Sequence, residues 1–113
     1  MYLRRSKHKY KNNPIIIDGI RFDSTKEGHR WIELQYLEKA GVISDLQRQV
    51  PYELQPSFYH DGKKIRPIQY VADFVYNEGN ERIVEDVKGV KTQEYKLKKK
   101  MMLYIYGIEI HEV

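Results

Sequence analysis

Two carboxylates and one ammonium group near the middle of the chain have the types and spacing of a metal-dependent site: Asp73, Asp86 and Lys88. The segments around them, Tyr70-Val-Ala-Asp-Phe-Val-Tyr and Arg82-Ile-Val-Glu-Asp-Val-Lys-Gly89, otherwise read as buried strands rich in β-branched and aromatic residues. Because an unpaired buried carboxylate is costly, these charges need compensation. A divalent cation, which prefers oxygen ligands, would supply it. A structural ion pair between Lys88 and either aspartate is the alternative.

The turn between the two strands decides whether the acids meet. Asn77-Glu-Gly-Asn80 predicts an antiparallel hairpin. A loop of two or four residues would place Asp73 opposite Val84, with Asp86 a diagonal neighbour about 7–8 Å away. A three-residue loop would separate the acids unless a bulge restored the phase. One face of the hairpin is then expected to carry Val71, Asp73, Val75, Val84, Asp86 and Lys88, and the other Tyr70, Ala72, Phe74, Tyr76, Ile83 and Val87.

Both faces of this hairpin are largely apolar, so helices are expected to cover them. The first helix is predicted to begin at the capping box Ser24-Thr-Lys-Glu27 and to end at Gly41. Glu27, Trp31 and Leu34 share the stripe that faces the sheet, so Glu27 is a candidate third acidic ligand. Alternatively, its carboxylate reaches back to the cap.

A second helix is predicted from a Thr92 cap to Gly107, with Leu97, Met101 and Tyr104 on its buried face. Its other side carries a run of lysines. Such runs are usually solvated helix faces, but this one follows the Asp86-Val-Lys88 strand closely and could contact a phosphate backbone. The lysines are Lys96, Lys99 and Lys100, with Lys98 nearer one edge.

Four blocks in order resemble a known family. They are Ile17-Asp-Gly-Ile-Arg-Phe-Asp-Ser-Thr-Lys-Glu27, Tyr52-Glu-Leu-Gln-Pro56, Tyr70-Val-Ala-Asp-Phe74 and Glu85-Asp-Val-Lys-Gly89. Together they resemble small phage-encoded nucleases of the PD-(D/E)XK superfamily, related to Holliday-junction resolvases. Ala72 replaces the proline of the motif, and Asp86 stands where many relatives have glutamate, but neither change removes a ligand.

The resemblance implies an α/β fold with a restriction-endonuclease-like core, in which helices flank a mixed central sheet in the order αβββαβ. It implies a Mg²⁺-dependent endodeoxyribonuclease, with Mn²⁺ as a substitute, that cuts branched DNA in phage replication or recombination. Asp73, Asp86, the Val87 carbonyl and Glu27 would hold the metal. Lys88 would orient the attacking water or neutralise the transition state, and Lys98 would be a secondary phosphate contact.

Composition agrees with this expectation. The chain of 113 residues is predicted to be one domain, residues 14–113, preceded by a basic arm, residues 1–13. The arm contains Arg4 and Arg5 among five basic residues and no acid, so it accounts for the net charge of +4. The arm is expected to bind DNA phosphates; the alternative is that it only acts as a solubilising tail.

The remaining expectations concern compartment and partners. The chain has no cysteine, no apolar run that could span a bilayer and no signal-peptide core, which suits the cytoplasm of a bacterial host. We expect DNA as the partner, no small-molecule substrate and no membrane. A homodimer would make the two symmetric cuts that a junction requires. The competing hypothesis is a non-catalytic basic nucleic-acid-binding module whose acids and lysine form a structural network.

Overall fold

The computed structural model describes residues 13–113, and these form a mixed sheet with a helix on each side. The basic arm, apart from Asn13, lies outside the described residues. In chain order the elements are β1 (Ile15–Ile17), β2 (Ile20–Phe22), α1 (Thr25–Lys39), β3 (Ser44–Gln55), β4 (Phe58–His60), β5 (Lys63–Ile65), β6 (Ile68–Glu78), β7 (Glu81–Asp86), α2 (Gln93–Tyr106) and β8 (His111–Glu112).

The central sheet has the strand order β3-β6-β7-β8. Its first three strands are antiparallel and β8 runs parallel to β7, so the predicted α/β fold with a mixed sheet is confirmed. The elements α1, β3, β6, β7, α2 and β8 follow the predicted order. The pairs β1–β2 and β4–β5 add two small antiparallel hairpins to it.

Each helix seals a separate hydrophobic cluster on its own side of the sheet. Leu34 of α1 packs with Phe74, Tyr76 and Ile83, whereas Met102 of α2 packs with Val75 and Val84. Neighbouring residues of β7 therefore point to opposite clusters, as the period-two alternation of a strand requires. The expectation that both faces of the hairpin are covered is confirmed.

The predicted register of the β6–β7 hairpin is wrong by two residues. Glu78 pairs with Glu81, and Val84 lies opposite Val75 rather than Asp73. The two-residue loop lies at Gly79-Asn80, further along the chain than either predicted pairing places it, because Gly79 adopts a positive φ of 62° and β6 continues to Glu78. Since the loop still has an even number of residues, the acids keep the same phase. One step beyond the last pair, Asp86 falls opposite Asp73.

The predicted division of β6 into two faces is also partly wrong. Tyr70 and Ala72 pack in the same cluster as Val75. In a regular strand, residues that lie five or three positions before Val75 would point to the opposite face. The alternation reverses at Asp73. Its neighbour across the ladder is Gln49, whose φ of 54° marks a distortion of β3 at the same point.

The helix boundaries match the capping signals. The Ser24 hydroxyl accepts a hydrogen bond from the Glu27 amide at 3.1 Å, and the Thr92 hydroxyl accepts one from the Tyr95 amide at 3.1 Å. Gly107 ends α2 in the left-handed conformation. Both predicted helices are confirmed to within a residue or two.

The predicted buried face of α2 is wrong. Leu97 and Tyr104 are 56% and 90% exposed, whereas Tyr95 and Met102 are buried and Met101 is half-buried. The helix is rotated because Tyr95 contacts groups of the sheet: its hydroxyl donates to the carboxylate of Glu112 in β8 at 2.7 Å. Within residues 13–113, neither helix combines the length and apolar character that crossing a membrane requires.

Candidate functional site

An open cleft of about 760 Å³ lies where the N-terminal ends of both helices approach β6 and β7. It contains the predicted acids and the predicted lysine. The residues that line it include Glu27, Asp73, Asp86, Val87, Lys88, Tyr95 and Lys98. We call this region the acidic cleft. The structure therefore brings together the residues that the sequence singled out in the first helix and in both strands.

Asp86 is buried and held from two directions. The Tyr70 hydroxyl donates to one carboxylate oxygen at 2.6 Å, and the Lys88 ammonium lies 3.1 Å from the other. The ammonium also lies 3.8 Å from the centre of the Tyr95 ring, a cation–π contact. The Asp86 carboxylate is thus fixed in orientation, and Lys88 faces the same space.

Lys88 lies just beyond the end of β7, where the backbone ladder with β8 continues. Its amide donates to the Val113 carbonyl at 3.1 Å, and the Val113 amide donates to the Asp86 carbonyl at 3.0 Å. These bonds keep the strand extended through Lys88. Two residues apart on extended backbone, the carboxylate and the ammonium point to one side, as predicted.

Asp73 lies at the distortion of β6 and accepts a hydrogen bond from the Val87 amide at 2.8 Å. Burial and then the charge of Asp86 raise its pKa to about 8, and the Val87 hydrogen bond opposes this only in part. Asp86 faces Asp73 one step beyond the last pair of the β6–β7 ladder. Lys88 pairs with Asp86, whereas Asp73 has no cationic partner within residues 13–113, a shortfall of positive charge that a bound divalent cation relieves.

Glu27 is the third acid of the acidic cleft. Its carboxylate accepts a hydrogen bond from the Gln49 side-chain amide at 3.2 Å, so this carboxylate points towards the sheet. Burial, followed by the negative charge of Asp23, raises its pKa. The capping-box alternative required a hydrogen bond from the Ser24 amide to the Glu27 carboxylate. Within residues 13–113 this bond is absent.

The predicted ligand set fits a cation in part. Within residues 13–113, no three His, Cys, Asp or Glu side chains are already close enough to ligate one ion together. Asp73 and Asp86 face each other across the β6–β7 hairpin, and Glu27 lines the same cleft. Hard cations bind two carboxylates and complete their shell with water or substrate oxygens. The Asp73–Asp86 pair is therefore the part that fits, and Glu27 would have to move closer to join it.

A second buried acid lies directly behind the acidic cleft. Glu85, on the opposite face of β7 from Asp86, receives two hydrogen bonds from Arg30 of α1, at 2.8 and 2.7 Å. The Tyr76 hydroxyl donates to the same carboxylate at 2.7 Å. Sequence reasoning missed this network. The available signal was Glu85 itself. It lies inside a strand that was predicted to be covered on both faces, and a buried carboxylate there requires a cation as its partner.

Tyr70 and Gln49 are further residues of the site. Regular alternation through Asp73 predicts Tyr70 on the other face of β6, and this prediction is wrong. A glutamine within a strand more often satisfies backbone groups, so Gln49 carries no clear functional signal in the sequence, although its side-chain amide contacts Glu27. The positive φ of Gln49 likewise has no clear signal in the sequence.

The predicted DNA-binding residues are divided by the structure. Lys98 lines the acidic cleft and forms an ion pair with Glu94 at 3.0 Å. Lys99 pairs instead with Glu112 at 3.0 Å, and Lys96 and Lys100 are exposed outside the cleft lining. Arg4 and Arg5 lie outside the described residues.

Comparison with known proteins gives one family. A family model described as "Protein of unknown function (DUF1064)" matches residues 7–111. No curated protein and no solved structure gives a match. The matched range contains every residue of the acidic cleft named above. The chain belongs to the DUF1064 family.

Proposed function

We propose that this protein is a metal-dependent DNA endonuclease whose active site is the acidic cleft. The observation that carries the proposal is the meeting of Asp73, Asp86 and Lys88 in an open cleft, with Glu27 in its wall. Two facing carboxylates, Glu27 in the wall and one ammonium group leave a local excess of negative charge. That excess suits a divalent cation placed between the protein and a phosphate.

Each residue has a defined task in this proposal. Asp73, Asp86, the Val87 carbonyl and Glu27 would hold Mg²⁺ or Mn²⁺, which when bound lowers the pKa of a water and neutralises charge developing on the phosphate. Lys88 supplies a fixed positive charge for the same phosphate. Tyr70 keeps the Asp86 carboxylate in orientation. Hydrolysis would leave a 5′-phosphate and a 3′-hydroxyl.

The strand arrangement of the sheet supports a more specific proposal for the fold. Its mixed strand arrangement and the αβββαβ order are those expected of a restriction-endonuclease-like core. With the resemblance to resolvase-related phage nucleases, we propose branched DNA as substrate and the bacterial host cytoplasm as location. A homodimer would provide two symmetric cuts, because each chain offers one acidic cleft.

One observation favours a second candidate. Lys88 lies 3.1 Å from Asp86, which is also the ion pair expected of a purely structural network in a DNA-binding module. A structural ion pair would need only Asp86 and Lys88, whereas Asp73 and Glu27 also line this open cleft. Buried ion pairs also contribute little net stability, so stability alone explains this arrangement poorly.

Cleavage assays separate the two candidates. A labelled four-way junction, a flap and a linear duplex are incubated with the protein in Mg²⁺, Mn²⁺ or EDTA. We expect cutting only with metal, and Asp86→Asn or Lys88→Ala to lower its rate by about 10²–10⁴-fold. Asp45→Asn is the matched control, since it removes an exposed carboxylate that pairs with Arg82 outside the acidic cleft. If both cleft variants cut at the parental rate, the catalytic assignment is wrong.

A further inference from the structure

The hairpin of β4 and β5 is the most exposed regular structure in the described chain. All six residues of its two strands are exposed. Its turn, Asp61-Gly62, has φ values of 51° and 75°, the backbone of a tight two-residue hairpin turn. Three cross-strand pairs complete it: Phe58 with Ile65, Tyr59 with Lys64, and His60 with Lys63.

Composition makes this hairpin unusual for a solvated loop. Tyr59 is 72% exposed and Phe58 47%, so two aromatic rings face solvent. Residues 56–67 contain Lys63, Lys64 and Arg66 but only one acid, Asp61, giving a net charge of +2. A lone two-stranded ribbon is at best marginally stable in water, so a partner that covers it would stabilise it.

The hairpin leads directly into the acidic cleft. β6 begins at Ile68, and its residues Gln69 and Val71 line the cleft. Arg66 precedes Gln69 by three residues, so at most about 11 Å of chain separates them. The base of the hairpin is fastened to β3, because the Gln55 side-chain amide donates to the Arg66 carbonyl at 3.5 Å.

We propose that the β4–β5 hairpin is a DNA-binding ribbon that contacts duplex DNA beside the phosphate bound in the acidic cleft. The inference rests on the proposed nuclease function. It assigns a contact to the part of the DNA substrate that lies outside the acidic cleft. A two-stranded ribbon fits the major groove, and its lysines match the charge of the phosphate backbone on either side. Because such contacts are mainly to phosphates, the ribbon would position the duplex without reading its sequence.

Binding, rather than cleavage, tests this proposal. The affinity for a labelled duplex and a labelled four-way junction is measured over a range of salt concentrations, in an Asp86→Asn background that prevents the proposed cleavage. Lys63→Gln/Lys64→Gln should weaken binding to both at least about tenfold and reduce the slope of log K against log salt by about 2. A hydroxyl-radical footprint should shorten on one side.

The matched control is Lys39→Gln/Arg82→Gln. It also removes two positive charges, but from the C-terminal end of α1 and from the start of β7, at the other end of the sheet from the hairpin. This variant should keep the parental footprint and lose less affinity.

The outcomes separate this proposal from the nuclease proposal. Parental affinity, slope and footprint in the hairpin variant overturn the ribbon, even if the unmodified protein cuts DNA. Loss of binding only in the hairpin variant supports the ribbon, even if no cleavage is found. If the hairpin variant changes sedimentation and leaves DNA affinity unchanged, the hairpin is a contact between copies of the chain and the proposal is overturned.

Discussion

The protonation of Asp73 is the most informative property at the scale of single residues. Burial and the neighbouring Asp86 hold its pKa near 8, well above the ordinary value of 3.8. In the unfolded chain the Asp73 carboxyl is solvated and its pKa returns to the ordinary value. The protein without metal therefore keeps a proton in the acidic cleft at pH values where a free aspartate has lost it.

Linkage gives the sign of the effect on stability. Because folding raises the pKa of Asp73, its proton stabilises the folded state fully below about pH 4, and this contribution is lost as pH rises towards 8. Asp73→Asn resembles the protonated acid and does not titrate. In EDTA we expect Asp73→Asn to be more stable than the parent by on the order of a few kcal/mol at pH 8.5, with little difference at pH 4.

Urea unfolding of both proteins at several pH values measures this difference, with Asp45→Asn as the exposed control. Adding Mg²⁺ or Mn²⁺ at pH 8.5 should then stabilise the parent more than Asp73→Asn, because the ion neutralises the Asp73 carboxylate, which asparagine lacks. A stability difference that stays constant from pH 4 to 8.5 would contradict the raised pKa.

Sequence reasoning predicted the identity of the central residues better than their supports. An acid in a buried strand is conspicuous because it is costly, which singled out Asp73 and Asp86, and helical spacing singled out Glu27. The predicted face of Tyr70 is wrong, because the alternation of β6 reverses at Asp73, opposite the positive-φ residue Gln49 of β3. Such a distortion is a property of two paired strands and is not encoded by a local residue pattern.

At the scale of elements, the Arg30–Glu85 pair joins two of the three elements that carry the acids of the acidic cleft. Glu27 and Arg30 are one turn apart on α1, and Glu85 and Asp86 are neighbours on β7. The bidentate contact therefore sets the distance between α1 and β7 directly behind the acidic cleft. We interpret Arg30 and Glu85 as positioning residues for this arrangement.

Arg30→Met should lower the free energy of unfolding by about 3 kcal/mol, because it leaves Glu85 buried without its cation. Arg21→Met is the matched control, since the Arg21–Asp23 pair at 2.8 Å is largely exposed and should cost less than about 1 kcal/mol. Denaturant unfolding measures both. Adding Glu85→Gln to Arg30→Met should recover part of the loss, because the buried charge is then gone. Equal losses for Arg30→Met and Arg21→Met would show that the buried pair has no special role.

The elements themselves were largely predictable, and their rotation and register were not. The caps at Ser24 and Thr92 and the glycines after each helix act locally, so sequence patterns located both helices. The face that α2 buries depends on Tyr95 reaching Glu112 in β8, a contact between distant segments. The β6–β7 register likewise depended on where a single glycine turned the chain.

At the scale of the whole molecule, one chain offers one acidic cleft. A four-way junction presents two equivalent strands, so two-fold symmetry in the protein is the simplest match. We expect sedimentation to show a homodimer, either free or bound to a four-way junction. Asp86→Asn should assemble in the same way, because the acid lies inside the cleft. Sedimentation that shows a monomer in both conditions would contradict the dimer.

The distribution of charge along the chain gives the last prediction. Arg4, Arg5, Lys7, Lys9 and Lys11 contribute +5 before the first acid, so the rest of the chain carries +4 − 5 = −1. If DNA is the partner as proposed, its attraction to the whole molecule depends strongly on the basic arm, whereas the cleft itself is acidic. Arg4 and Arg5 also precede residue 7, where the family match begins.

Arg4→Gln/Arg5→Gln should therefore weaken DNA binding similarly for all sequences and reduce the slope of log K against log salt by up to about 2, because each lost phosphate contact releases one counterion fewer. Fluorescence anisotropy over a salt series measures both quantities. With saturating DNA and Mg²⁺, the cleavage rate should stay near the parental value, since neither arginine belongs to the acidic cleft as proposed. An unchanged slope would show that the arm only solubilises the protein, whereas a lost cleavage rate at saturation would show that it reaches the reacting phosphate.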